Sequence, residues 1–279
     1  MKIAIDDEDS LSERLLNKEK GLINIAVICF PRLSNFTDFS AFEHVKGVKV
    51  YYAKTVSELE EADMVILPGS KNTISDLKWI RQNGMEAEIK KLAVDHPIFG
   101  ICGGYQMLGK MIYDPEHIEE GGSIRGMELL DVETTLMQDK VRTQVTGTLK
   151  QLEGIFKDLS GQKLKGYEIH MGETHHGKEV KRLTSLQVKK NRSEKEYQKL
   201  DGAFLDNVYG SYVHGIFDSG DVAYLIVSAL ACKKGIILEV DNHETYQVFR
   251  ESQYDYLADI IRKYMNIDDI YKMLSEAVI

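Results

Sequence analysis

A cysteine stands among glycines where one short apolar run ends and a helical pattern begins, in Gly100-Ile101-Cys102-Gly103-Gly104-Tyr105-Gln106. Pro97-Ile98-Phe99 leads in and Tyr105-Gln106-Met107-Leu108-Gly109-Lys110-Met111 leads out. That is a strand, a sharp turn and a helix. The glycines permit a strained turn and the close approach of neighbouring backbone. A thiol at a helix N-terminus sits where the dipole and unpaired N–H groups favour an anion, and the thiolate is the reactive form of cysteine. The motif thus constrains the fold to strand-turn-helix units and marks Cys102 as a candidate nucleophile.

The surrounding pattern extends this architecture. Asn24 to Cys29, Val48 to Ala53, Met64 to Leu67 and Pro97 to Ile101 read as short apolar strands. Phe36 to His44, Val56 to Glu61, Ile74 to Asn83 and Met85 to Val94 read as helices between them. Apolar strands alternating with helices predict an α/β protein with an open, mainly parallel sheet flanked by helices. Further on, Met127 to Met137, Arg142 to Thr148, Lys165 to Met171 and Leu183 to Val188 read as strands forming an antiparallel extension of that sheet. Val208 to His214 is a strand ending in a histidine, and Ala223 to Ala231 is helical. The spacing of Phe249, Tyr256, Leu257, Ile260, Ile261 and Tyr264 predicts an amphipathic closing helix over 246–264. Residues 1–22 read as a charged linker and 23–279 as one globular domain.

Bulk chemistry narrows the function. The net charge is −9, and the 35 basic residues form no long block, which argues against nucleic acid. No apolar run is long enough to span a bilayer, and the charged start carries no secretory signal. Three scattered cysteines make neither a disulfide framework nor a zinc cluster and suit a reducing cytoplasm. Cys29 and Cys232 lie in apolar runs and read as small buried hydrophobes. His170, His175 and His176 lack the partners of a metal shell, so no metal is expected. Ser193-Glu194-Lys195-Glu196-Tyr197 reads as a solvated loop. No GxxxxGK[ST] or GxGxxG motif is present, so no standard ATP loop is expected.

Three segments converge if the sheet is parallel, because ligands gather beyond the carboxyl ends of its strands. They are the cysteine turn, Leu67-Pro68-Gly69-Ser70-Lys71-Asn72-Thr73 and Tyr212-Val213-His214-Gly215-Ile216-Phe217. His214 is then a candidate base for Cys102. The N–H groups of the Pro68-Gly69-Ser70 turn and of Gly103 would form an oxyanion hole. Strand alternation puts Glu168 and His170 on one face, where they make a candidate cleft-facing pair.

These residues resemble a known family. Gly100 to Gln106 resembles the nucleophile elbow of class I glutamine amidotransferases, whose sheet is flavodoxin-like. Leu67-Pro-Gly-Ser-Lys-Asn-Thr73, Gly166-Tyr-Glu-Ile-His-Met-Gly172 and Tyr212-Val-His-Gly-Ile-Phe217 resemble, more narrowly, the C-terminal domain of the cobyric acid synthase family, from about Ile23 to the C-terminus. The resemblance implies a ligase half that hydrolyses glutamine and passes ammonia to an N-terminal synthetase domain. That domain uses ATP and magnesium to amidate a corrinoid, adenosylcobyrinic acid a,c-diamide, in cobalamin biosynthesis. It implies Cys102 as nucleophile, His214 as general base, Gly69 and Gly103 as oxyanion donors and Gln106 as a substrate-glutamine contact. Residues 1–20 resemble the end of the ATP domain, which is otherwise missing, so ATP and Mg are not expected on this chain. Many class I amidotransferases carry a glutamate two residues after the histidine, where this chain has Ile216. Glu168, a carboxylate of the missing domain, or no acid at all would orient His214. A subunit for lipid II amidation, a γ-glutamyl peptidase and a non-catalytic glutamine-binding or docking module are the alternatives.

Overall fold

The computed structural model describes residues 20–189, 197–238 and 245–276. Nearly all of the linker read over 1–22, and Ser193 to Glu196 of the solvated loop, lie outside the described residues. Tyr197 opens a strand instead.

The first half alternates strands with helical segments. The strands are β1 (Ile23–Ile28), β2 (Val48–Ala53), β3 (Met64–Leu67) and β4 (Ile98–Ile101). The helices are α1 (Ser40–Glu43), α2 (Thr73–Gln82), α3 (Met85–Leu92) and α4 (Gly103–Leu108). Every residue of β1, β3 and β4 is buried, as expected for strands covered on both faces, whose apolar runs do not alternate. In α2 the buried Ile74, Leu77 and Ile80 form one stripe, and in α3 Met85, Ile89 and Leu92 form another. Asn72 caps α2 by accepting from the Ser75 N–H at 2.8 Å. The helix expected at Phe36 to His44 is a 3-10 turn, Phe36–Phe39, running into the short α1, and that expected at Val56 to Glu61 is a 3-10 turn over Val56–Glu58.

The second half contributes β5 (Met111–Asp114), β6 (Gly122–Arg125), β7 (Val132–Leu149), β8 (Lys163–His176), β9 (Thr184–Lys189) and β10 (Tyr197–Asp201). After them come β11 (Ala203–Leu205), β12 (Val208–Ser211), β13 (Val213–His214), α5 (Val222–Lys233), α6 (Tyr246–Tyr264) and α7 (Ile267–Glu276).

The first sheet has the order β11-β12-β4-β3-β1-β2. All its pairings are parallel except β11 with β12. The antiparallel strands do not continue this sheet but form a second one, β10-β9-β7-β5-β6, with β8 and β13 attached. The two strands expected over 127–148 are one, β7, irregular between Thr135 and Lys140. The chain changes sheets at Tyr212. β12 lies beside β4, and two residues later β13 pairs with β8, His214 opposite Tyr167.

The two long C-terminal helices differ. α5 buries Val222, Ala223, Ile226, Val227, Leu230 and Ala231. Cys232 falls outside that stripe and is exposed, contrary to expectation, whereas Cys29 is buried. The expected closing helix, α6, fully buries only Gln253, and Tyr264 is 75% exposed. Of that apolar stripe Phe249 packs on His44, while Ile261 and Tyr264 are exposed, so the helix does not complete a core.

Candidate functional site

Register brings the predicted segments together. Leu67 of β3 pairs with Gly100 of β4, and Gly100 with Gly210 of β12. Three strands therefore end level, and Pro68-Gly69, Cys102 and Tyr212 to His214 emerge side by side at their carboxyl edge.

Cys102 sits at φ 52°, ψ −110° between β4 and α4. A side-chain-bearing residue held there stores about 1–3 kcal/mol of strain, which persists only where the surroundings over-determine it. They do. The Cys102 N–H donates to Ser211 O at 2.9 Å, and the Gly104 N–H to Pro68 O at 3.1 Å. A Cβ on Gly104 would lie 2.0 Å from Leu67 O, so only glycine lets the elbow close on β3. The thiol, 9% exposed, points to Ile169 O at 3.6 Å. Gly103 follows it in the chain, and Gly69 lies against the histidine, where a Cβ would come within 3.3 Å of His214 Cε1.

His214 is held from the other side. Its Nδ1 lies 2.7 Å from Asp38 Oδ2, while Asp38 Oδ1 accepts the Gly215 N–H at 2.9 Å. Asp38 is buried in the 3-10 turn before α1. Tyr167 stacks on the imidazole with ring centroids 5.2 Å apart, and its hydroxyl accepts from Asn35 Nδ2 at 2.7 Å. Nε2 has no hydrogen-bond partner among the described residues. Burial alone would lower the imidazole pKa. The Asp38 carboxylate, by charge and hydrogen bond, and the neighbouring Cys102 overcome this and hold it well above its ordinary value. The carboxylate on Nδ1 therefore favours the protonated ring, and Nε2 stays unpartnered among the described residues.

The carboxylate that meets His214 is thus Asp38 and not Glu168. Glu168 is fully buried with Oε2 2.6 Å from Lys199 Nζ. Strand alternation explains it. Tyr167 and Ile169 face the cysteine and histidine, while Glu168 and His170 turn together into the interior. His170 stacks on Tyr212 at 3.7 Å there. Burial, then the like charge of Asp201, pushes the Glu168 carboxyl up, against Lys199 and His214.

Gln106 lies under the elbow with its amide taken by the protein. Its Oε1 accepts from Thr73 Oγ1 at 3.1 Å, and its Nε2 donates to Met171 O and Tyr212 OH at 3.2 Å each. It ties α4 to both sheets.

A family model for the CobB/CobQ-like glutamine amidotransferase domain matches residues 24–222. The chain belongs to that family. Among curated relatives of this CobB/CobQ-like domain are the cobyric acid synthases of Ruminiclostridium cellulolyticum, 46% identical over 278 residues, and Lachnoclostridium phytofermentans, 44% identical over 281. These alignments take in 99% of this chain but 54% and 55% of the relatives, so the chain spans about half their length. Its fold is similar to that of PurLQS from Thermotoga maritima, with TM-score 0.53 and 18% identity over 76% of this chain and 99% of the other. Among the described residues, no helix of the CobB/CobQ-like domain is long and apolar enough to cross a membrane.

Asp38 is the site residue that sequence reasoning missed in this CobB/CobQ-like domain. It lies 176 positions before His214, in Phe36-Thr37-Asp38-Phe39, with no motif around it. The available signal was the carboxyl end of β1. A parallel sheet delivers that end to the same edge as β3 and β4.

Proposed function

We propose that this chain is the glutamine-hydrolysing half of a cobyric acid synthase. Cys102 Sγ attacks the side-chain carbonyl carbon of glutamine, forming a C–S bond. The carbonyl oxygen becomes an oxyanion that takes hydrogen bonds from the Gly69 and Gly103 N–H groups. His214 Nε2 gives its proton to the amide nitrogen, the C–N bond breaks and ammonia leaves. His214 then takes a proton from water, whose oxygen attacks the γ-glutamyl thioester. The C–S bond breaks, glutamate departs and the thiolate–imidazolium pair is restored. Asp38 keeps the ring oriented and stabilises its charge, the part that the third member of such a triad plays.

The observation that carries this reading is the convergence of a strained cysteine elbow and an Asp38-held histidine with its Nε2 free at one strand edge. The family supports glutamine as the ammonia source. The names of the relatives support the fate of the ammonia. It goes to the rest of the protein, where ATP and magnesium activate carboxylates of the corrinoid adenosylcobyrinic acid a,c-diamide, in the cytoplasm.

The test is labelling with 6-diazo-5-oxonorleucine, a glutamine mimic, followed by peptide mapping and assay of ammonia release. An adduct on Cys102, and ammonia release abolished by Cys102→Ala and by His214→Ala, is the expected result. An adduct elsewhere, or none even with the synthetase half supplied, would overturn it.

A further inference from the structure

A second carboxylate stands across the turn that follows the catalytic histidine. The Asp218 N–H donates to Gly215 O at 3.1 Å, closing the turn, and a Cβ on Gly215 would lie 3.7 Å from Asp218 Oδ2. Asp38 holds the other side of the same turn through the Gly215 N–H and His214. Two carboxylates therefore flank one glycine in a poorly solvated place, and like charges so close disfavour joint ionisation. The cation that balances them comes from α6. Arg250 Nη1 reaches Asp218 Oδ2 at 3.0 Å, with the two side chains 37% and 17% exposed.

The placement of Arg250 is itself built. Phe249 and Tyr246 pack their rings on His44, at 4.2 and 6.2 Å between centroids, which fixes the first turns of α6 beside α1. The Arg250 guanidinium lies over the Tyr246 ring at 5.7 Å. This helix lies beyond the matched family segment, which stops at residue 222.

We infer that Arg250 of α6 is a positioning residue for His214, acting through Asp218 and Asp38. The inference rests on the reading of Cys102 and His214 as the catalytic pair. With Arg250 in place and Asp218 ionised, the two charges cancel and Asp38 is left as the net charge facing the imidazole. Without it, Asp218 either ionises beside Asp38 or takes up a proton, and the field at His214 changes either way. The charged and titratable groups that bear on this pair are Asp38 from the 3-10 turn, Arg250 from α6, Cys102 from the elbow, and Glu168 and His170 from β8. Against the pull of Arg250, burial and then Asp38 push the Asp218 carboxyl up to about 7, so near neutrality it passes from the protonated form to the ionised, Arg250-paired one.

The test is the pH dependence of Cys102 alkylation by iodoacetamide, with kcat and KM for glutamine measured alongside. The wild-type chain should show a step in reactivity, an inflection where Asp218 titrates, at about 7. In Arg250→Gln the lost cation should move it up by about one pH unit, a modest shift because Arg250 is partly solvated. Then kcat should fall several-fold with KM little changed. Arg250→Lys should keep the wild-type profile, and Asp218→Asn should remove the inflection. A helix that merely props the domain would lower stability in Arg250→Gln and Arg250→Lys alike and leave the profile in place. An unmoved inflection in both Arg250→Gln and Asp218→Asn, with Cys102 still alkylated, would overturn this inference alone. A wild-type chain with neither glutamine turnover nor Cys102 alkylation would overturn it together with the catalytic reading.

Discussion

Cys102 stands on the parallel sheet, fixed by level strand ends and by glycines a few residues away. His214 stands where the chain has crossed to the second sheet, fixed by Asp38 from far back in the sequence and by Tyr167 from a different strand. The first support is backbone geometry and tolerates almost no change of shape. The second is side-chain chemistry, and it can be changed without moving the chain. Substitutions on the cysteine side should therefore be lost through folding, and those on the histidine side through chemistry.

The largest effect should come from Gly104→Ala. Its Cβ would lie 2.0 Å from Leu67 O and 2.6 Å from Leu67 C, backbone atoms of a fully buried strand that cannot yield. Overpacking usually costs about 1–3 kcal/mol, and more where backbone must shift. Loss of soluble folded protein, or a fall in Tm well beyond that of any other substitution named here, is the expected outcome by thermal denaturation. A variant that folds and labels at Cys102 like the wild type would show that the elbow is not pinned to β3.

Asp38→Asn should be nearly the reverse, still folding, with a smaller loss of stability than Gly104→Ala, and failing in chemistry. The amide keeps the shape but not the charge, so the burial that lowers the His214 pKa goes unopposed by a carboxylate. A neutral ring neither stabilises the thiolate nor holds the proton that ammonia needs. A drop of about 10²–10⁴-fold in kcat is expected, on the scale general acid–base catalysis contributes. The sign of the linked stability follows. A raised folded pKa adds stability that is fully present below the unfolded imidazole value and is lost as pH rises through the folded one. The stability gap between wild type and Asp38→Asn should therefore be wide at about pH 6 and narrow on the alkaline side. A gap that widens with pH would mean that His214 is not the group Asp38 serves.

These two substitutions also mark what the sequence reveals. The elbow is local. A strand, a cysteine among glycines and a helix follow one another within about a dozen residues, and the chemistry of each explains the next. The gathering of Pro68-Gly69 and His214 beside Cys102 follows from the parallel order of the strands, which apolar runs disclose. Asp38 is not local, because a carboxylate between two phenylalanines on a 3-10 turn has no spacing that points to a histidine 176 residues on. Glu168 is the instructive contrast. Its parity with His170 was legible in the strand pattern, but which face turns to the cleft depends on how β8 meets β13, and no stretch of sequence states that. The antiparallel strands make a sheet of their own for a related reason, since each strand pattern is visible in the sequence while the crossing at Tyr212 is not.

Glu168→Gln sharpens the comparison because it changes a buried carboxylate close to, but not holding, the histidine. Its Lys199 partner is 28% exposed and keeps access to water. The cost should therefore fall below the roughly 3–5 kcal/mol of breaking a fully buried pair, at about 1–2 kcal/mol by denaturant titration. Turnover should stay within about threefold, far from the Asp38→Asn loss. Should Glu168→Gln instead match Asp38→Asn in kcat at unchanged KM, Asp38 would lose its place as the acid that serves His214.

The smallest effect separates the two histidines of this neighbourhood. His214 has a carboxylate and a raised pKa, whereas His170 has burial, the Lys199 cation and the face of Tyr212, and its pKa falls to about 3. Burial disfavours the charged ring, so the folded chain refuses a proton that the unfolded chain accepts below about 6.5. Between those values the unfolded state binds more protons, and stability must decline as pH falls. At about pH 5 the decline attributable to one such ring is at most about 2 kcal/mol, taking 1.36 kcal/mol per pH unit. His176, whose pKa falls to about 4 through burial and Arg182, acts in the same direction. His170→Phe keeps an aromatic ring against Tyr212 and removes the titration. Its loss of Tm between about pH 7 and pH 5 should be smaller than the wild type's, with glutamine turnover at neutral pH little altered. Equal losses in the two proteins would mean that the ring opposite Tyr212 takes its proton without unfolding the chain, and that the inner face of β8 is wetter than its burial implies.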